Sequence, residues 1–86
     1  MVTRVSKINY TDNERKFISD IGNRIVELRR KKGISQEMLA DQMKIAPRSL
    51  SDIENGKCSP NSIMIYRIAA VLGIPLTEFY SFQEEK

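Results

Sequence analysis

The stretch that most constrains this chain is SQEMLADQMKIAPRSLSDIENG, from Ser35 to Gly56. Leu39, Ala40 and Met43 follow an i, i+1, i+4 pattern, and Leu50 and Ile53 an i, i+3 pattern, so each half has one narrow apolar face at helical spacing. Ile45 lies between them as a plug for the turn. Ala40 is small enough to let two helices approach at a steep crossing, and Pro47 suits the first position of a new helix, where its missing N–H has no partner to lose. Two short helices therefore lie across a tight connection, each able to bury only one face against the rest of the chain.

The flanking segments supply what those faces bury against. Thr11 followed by Glu14 is a capping-box signature that starts a first helix, along which Phe17, Ile21, Ile25 and Leu28 recur at helical spacing. The cluster Arg29, Arg30, Lys31 and Lys32 sits where the helix dipole favours positive charge, and Gly33 ends the helix. That cluster reads as a solvated helix end, as charge near phosphates, or as both. Ser35 caps the second helix, with Gln36 and Glu37 in its first turn. Pro60 and Asn61 start a fourth helix that ends near Leu72 before Gly73, with Met64, Ile65, Ile68, Ala69 and Leu72 as its core face. A second stripe, Ile63, Tyr66, Arg67 and Ala70, carries a single charge, and a helix apolar nearly all round is usually buried on both sides. Pro75 opens a short fifth helix through Leu76, Phe79 and Tyr80, with Phe82 beyond. The fold class is all-α.

Composition narrows the function. A chain of 86 residues makes one domain with a modest core, which favours help from a second subunit. A net charge of +3 favours a polyanionic partner without demanding one. The lone cysteine, Cys58, has no internal disulfide partner, and no apolar run has the length of a membrane span, so a cytoplasmic protein with no membrane partner is expected. With no histidine, and one thiol lacking a nearby base, nucleophilic catalysis and a zinc site are both disfavoured. The expectation is a protein without metal or cofactor, and not an enzyme.

On the third helix, a turn of about 100° per residue puts Leu50 and Ile53 inward and Arg48, Ser51, Asp52 and Asn55 on the opposite face. An arginine there can donate two hydrogen bonds to guanine O6 and N7, and a carboxylate can accept from cytosine N4 or hold the guanidinium in place. The competing reading is an exposed Arg48–Asp52 ion pair at i, i+4. Gly56 suits a left-handed C-terminal cap, and Lys57 offers a point charge to phosphate. Cys58, beside these cations, reads either as a redox-sensitive thiol or as an incidental surface cysteine.

SQEMLA, the apolar Ile45 and SLSDIENGK resemble the helix-turn-helix of the phage repressor and Cro family of bacterial DNA-binding transcriptional regulators, over about Gly22 to Tyr80. The resemblance implies a compact bundle of about five helices that binds a two-fold operator in double-stranded DNA as a homodimer through the major groove. It places Arg48, Ser51, Asp52 and Asn55 where the family contacts bases. It also implies that Gln36, beside the free N–H groups of a helix N-terminus, bonds a phosphate, with Ser49 and Lys57 as further phosphate contacts. Arg29 matches the family arginine that pairs with the glutamate of ENG, here Glu54, so this pair is assigned to structure. Ile63, Tyr66, Leu76, Phe79, Tyr80 and Phe82 are assigned to a dimer interface, the competing reading being that the fifth helix closes the chain's own core. Two positions depart from the family pattern: Lys44 stands where a glycine is usual, and Ala46 replaces the usual Ser or Thr cap.

The organisation expected is an N-terminal arm over residues 1–10, a DNA-binding domain over 11–82 with a C-terminal dimerisation surface, and a polar tail over 83–86. The arm reads as a frayed terminus, an edge strand or a basic arm. Two function classes stand side by side: a sequence-specific transcriptional regulator, and an antitoxin or other protein-interaction module in which DNA binding is secondary. A protein antagonist fits either.

Overall fold

The computed structural model describes residues 9–81; the arm apart from Asn9 and Tyr10, together with Phe82 and the tail, lies outside them. Helices are the only regular structure among the described residues: α1 spans Asp12–Lys32, α2 Gln36–Met43, α3 Pro47–Glu54, α4 Ser62–Leu72 and α5 Leu76–Phe79. None is long and apolar enough to cross a membrane. Side-chain oxygens start three of them, Thr11 accepting from the Glu14 N–H, Ser35 from Met38 and Asn61 from Met64. Glu14 returns the bond to the Thr11 N–H, completing a capping box.

Helices α1 to α4 all stop by the same device. A left-handed residue, Gly33, Lys44, Gly56 or Gly73, turns the chain so that two successive N–H groups bond back to the last-turn carbonyls. At α2 these are Lys44 N–H to Asp41 O and Ile45 N–H to Ala40 O. Ile34, Ile45 and Ile74 each follow such a stop and pack against the core, so the chain's exit from these helices is fixed by burial as well as by hydrogen bonds. Lys44 alone among the four carries a side chain at positive φ, 63°. A left-handed backbone costs a non-glycine residue about 1–2 kcal/mol, and glycine returns about 0.5–1 kcal/mol of that through its larger entropy loss. Lys44→Gly should therefore raise stability by about 0.5–1 kcal/mol, read as a higher melting temperature. A lower one would show that the lysine side chain holds the turn by a contact of its own.

The core is one cluster fed by every helix. Ile25, Leu39, Ala40, Met43, Leu50, Ile68 and Phe79 are fully buried, with Ile21, Leu28, Ile53, Ile65 and Leu72 around them. Two assignments are corrected here. On α1 the buried stripe begins at Ile18, not Phe17, because Ile18, Ile21, Ile25 and Leu28 hold one 3-4-3 spacing toward the other helices. Phe17, one residue round, lies 37% exposed and stacks on Tyr80 with centroids 6.4 Å apart. Phe79, assigned to a dimer surface, is instead internal, because α5 folds back over the bundle and inserts this ring into the chain's own core.

Arg24 holds α5 in that position. Its Nε donates to Phe79 O at 3.2 Å, and one terminal nitrogen donates to Glu78 O at 2.7 Å and to Ser81 Oγ at 3.0 Å. A four-residue helix has no ladder of its own to satisfy its last carbonyls, so a cation from α1 does so.

Candidate nucleic-acid interface

The third helix is held on its inner side by two unlike contacts. Gly22, mid-way along α1, lets the α1 backbone rest on the last turn of α3. A Cβ at this position would stand 2.6 Å from the carbonyl oxygens of both Ile53 and Glu54. One helical turn away on α1, Ser19 faces Gly56, where a Cβ would make only ordinary contact and the positive φ of 74° is what calls for glycine. The second contact is polar. Glu54 is buried, and its two carboxylate oxygens accept three hydrogen bonds: Arg29 Nε to Oε2 at 2.9 Å, Arg29 Nη2 to Oε1 at 3.1 Å and Gln36 Nε2 to Oε1 at 2.8 Å. Arg29 Nη1 also donates to Ile34 O in the α1 to α2 connection. One charged cluster thus ties α1, α2 and α3 together, with its fork geometry matched in both partners.

With Leu50 and Ile53 buried beneath it, α3 turns its other side outward. Arg48, Ser49 and Asn55 are exposed, and Ser51 and Asp52 are half-buried at the base of that face. Asn55 Nδ2 donates to Ser51 Oγ at 3.3 Å, which holds the amide along the helix. Arg48 makes no ion pair with Asp52 and no hydrogen bond with any described residue, so its donors are free for an external acceptor. Ala46 offers no side-chain cap, and the first turn of α3 rests on backbone bonds to Ala46 O from Ser49 and Leu50. At the other end, Gly56 N–H reaches Ile53 O and Lys57 N–H reaches Asp52 O, which leaves the Lys57 side chain exposed just beyond the helix. Gln36 bonds Glu54 through one amide hydrogen, and the second remains available at the N-terminus of α2.

Similarity to known proteins agrees with this geometry. A family model described as helix-turn-helix matches residues 25–79, more than half of the chain. The chain belongs to the helix-turn-helix family of Cro/C1 type, whose members are DNA-binding transcription regulators. It is 38% identical over 66 residues to the control protein C.MunI of Mycoplasma sp, covering 76% of this chain and 89% of that one. It is 32% identical over 76 residues to a putative multi-protein-binding factor 1 of Yarrowia lipolytica, covering 85% of this chain but only 50% of the relative's length. The crystal structure of the restriction-modification controller protein C.AhdI from Aeromonas hydrophila superposes with a TM-score of 0.72 at 29% identity, over 76% of this chain and 98% of that one.

Set against the helix-turn-helix plan, one sequence expectation changes and three contacts are new. The cations near Cys58 do not favour its thiolate. Partial burial, and then the negative charge of Asp52, push this thiol above its ordinary range, so it is a poor nucleophile at neutral pH. The close approach at Gly22, the Arg24 clamp and a bond from Arg67 to Met43 O were all missed. A glycine inside a helical pattern is itself a signal, since it costs about 1 kcal/mol relative to alanine and persists where something packs against it. The arginines left no such trace, because their acceptors are main-chain carbonyls 55 and 24 residues away. No group of acidic, cysteine or histidine residues able to hold a metal occurs among the described residues.

Proposed function

We propose that this chain binds a two-fold operator as a homodimer and regulates transcription from it. In this reading α3 enters the major groove, with Arg48, Ser51, Asp52 and Asn55 facing base edges and Gln36, Ser49 and Lys57 positioned on phosphates. The observation that carries it is Arg48, exposed and without a partner among the described residues, in the first turn of a helix whose inner side is fixed by Gly22 and Glu54. Coverage of nearly the whole of C.AhdI, named as a restriction-modification controller, supports a regulator acting through this domain.

Arg48→Ala should cost about 1–3 kcal/mol on the preferred operator and relax preference at one guanine in each half-site, because a bidentate contact discriminates among bases. Lys57→Ala should weaken specific and random duplexes alike and lower the magnitude of the salt slope by about one unit per lost contact. Binding to both kinds of duplex over a salt series separates the two. Equal weakening of both by Arg48→Ala would make Arg48 a phosphate anchor and displace the reading face.

The homodimer is supported by the outward stripe of α4. Ile63 is 56% and Tyr66 63% exposed, and Leu76 of α5 lies 44% exposed nearby in the chain. Exposed apolar groups of this size on a small domain favour a subunit contact. Tyr80 is half-buried against Phe17 and Phe79, and contributes at most its edge. Sedimentation should give a dimer at high micromolar concentration, and Tyr66→Asp should give a folded monomer; a wild-type monomer at that concentration removes the free dimer.

A further inference from the structure

We infer that Arg67 is a positioning residue through which dimerisation tightens the turn ahead of the third helix. This rests on the proposed homodimer, and the turn ahead of α3 carries two local costs. Lys44 holds a left-handed backbone with a side chain attached, and Ala46 gives α3 no side-chain cap. The last turn of α2 has no basic residue to satisfy its carbonyls. Arg67 supplies the missing donor from another helix: its Nη1 bonds Met43 O at 3.1 Å, on the residue immediately before Lys44.

The same arginine belongs to the outward stripe of α4. At about 100° per residue, Ile63, Tyr66, Arg67 and Ala70 fall within roughly 100° of one another around the helix axis. All four are exposed in the single chain, so water competes with Met43 O for the guanidinium. A second subunit laid on this stripe expels that water, and a hydrogen bond from a charged donor strengthens as the local dielectric falls. The turn then stiffens when the dimer forms. By linkage, DNA that holds α3 in place favours the dimer to the same extent.

The test needs no DNA. Amide hydrogen exchange at Lys44, Ile45, Ser49 and Leu50, whose N–H groups make the bonds of the turn and of the first turn of α3, is followed from below to above the dimer dissociation constant found by sedimentation. In the wild type, protection at these amides should rise at least about fivefold across that range. In Arg67→Met, which keeps the stem and loses the donors, it should stay flat across the concentration range over which sedimentation shows that variant itself to dimerise, and Arg67→Lys should restore part of the rise. A wild type that dimerises with flat protection, or an Arg67→Met protein that keeps the rise, overturns the inference and leaves the homodimer standing. A wild type that stays monomeric overturns both. If Arg67→Met does not fold, Arg67→Leu is read in its place against the same outcomes, because association alone can raise protection in the wild type.

Discussion

Gly22→Ala should lower the melting temperature by on the order of 10–20 °C, from a loss of about 2–3 kcal/mol at about 4–8 °C per kcal/mol for a domain of this size. By intrinsic propensity the change should stabilise α1 by about 1 kcal/mol, so the two physical effects have opposite sign and the measurement is decisive. The added methyl would meet the carbonyl oxygens of Ile53 and Glu54 at 2.6 Å. Those atoms are main chain and cannot swing aside as a side-chain tip would, so α1 and α3 must separate. Separation would move the third helix and stretch the bonds to Glu54, and operator affinity should fall by more than the loss of folded protein explains. A melting temperature equal to or above the wild type would mean that the helices shift past one another without strain.

Glu54→Ala should be the more damaging change, costing about 3–5 kcal/mol, because it leaves the Arg29 guanidinium buried without its counter-charge. The side chain of Arg29 is 12% exposed and that of Glu54 4%, so water cannot replace the lost carboxylate. Against a total stability of about 5–15 kcal/mol for a small domain, a sizeable unfolded fraction at 37 °C is expected. Replacing both partners with apolar groups, Arg29→Met with Glu54→Leu, should lose much less than the two single changes added together, because no buried charge is then left over. Urea denaturation of the four proteins gives the cycle directly. Additive losses would show that the two side chains contribute separately rather than as a pair.

The fold was legible in the sequence to a large degree because its elements are set locally. Thr11 and Glu14, Ser35, Asn61 and the glycines at 33, 56 and 73 act within one turn of where they stand, so helix starts and stops follow from short windows. The outward face of α3 follows likewise from helical periodicity once Leu50 and Ile53 are taken as inward. The reading of Lys44 and Ala46 as departures needed the family pattern, and the structure gives each its physical form: a left-handed lysine and an uncapped helix.

What failed were the choices between neighbouring apolar residues and between inside and outside at the C-terminus. Phe17 and Ile18 both fit a helical stripe, and only the direction from which α4 and α5 approach decides which of them is covered. Phe79 is as apolar in a core as in an interface, and its place depends on α5 folding back under the hold of Arg24. The same limit hid the contacts of Gly22, Arg24 and Arg67, since each joins residues far apart in the chain through main-chain carbonyls that every residue possesses. Sequence alone determined where the helices begin and end and which face of each is apolar, because those properties are periodic and local. Tertiary structure alone decided which apolar face met which, and which cation found which carbonyl, because those depend on how the helices cross.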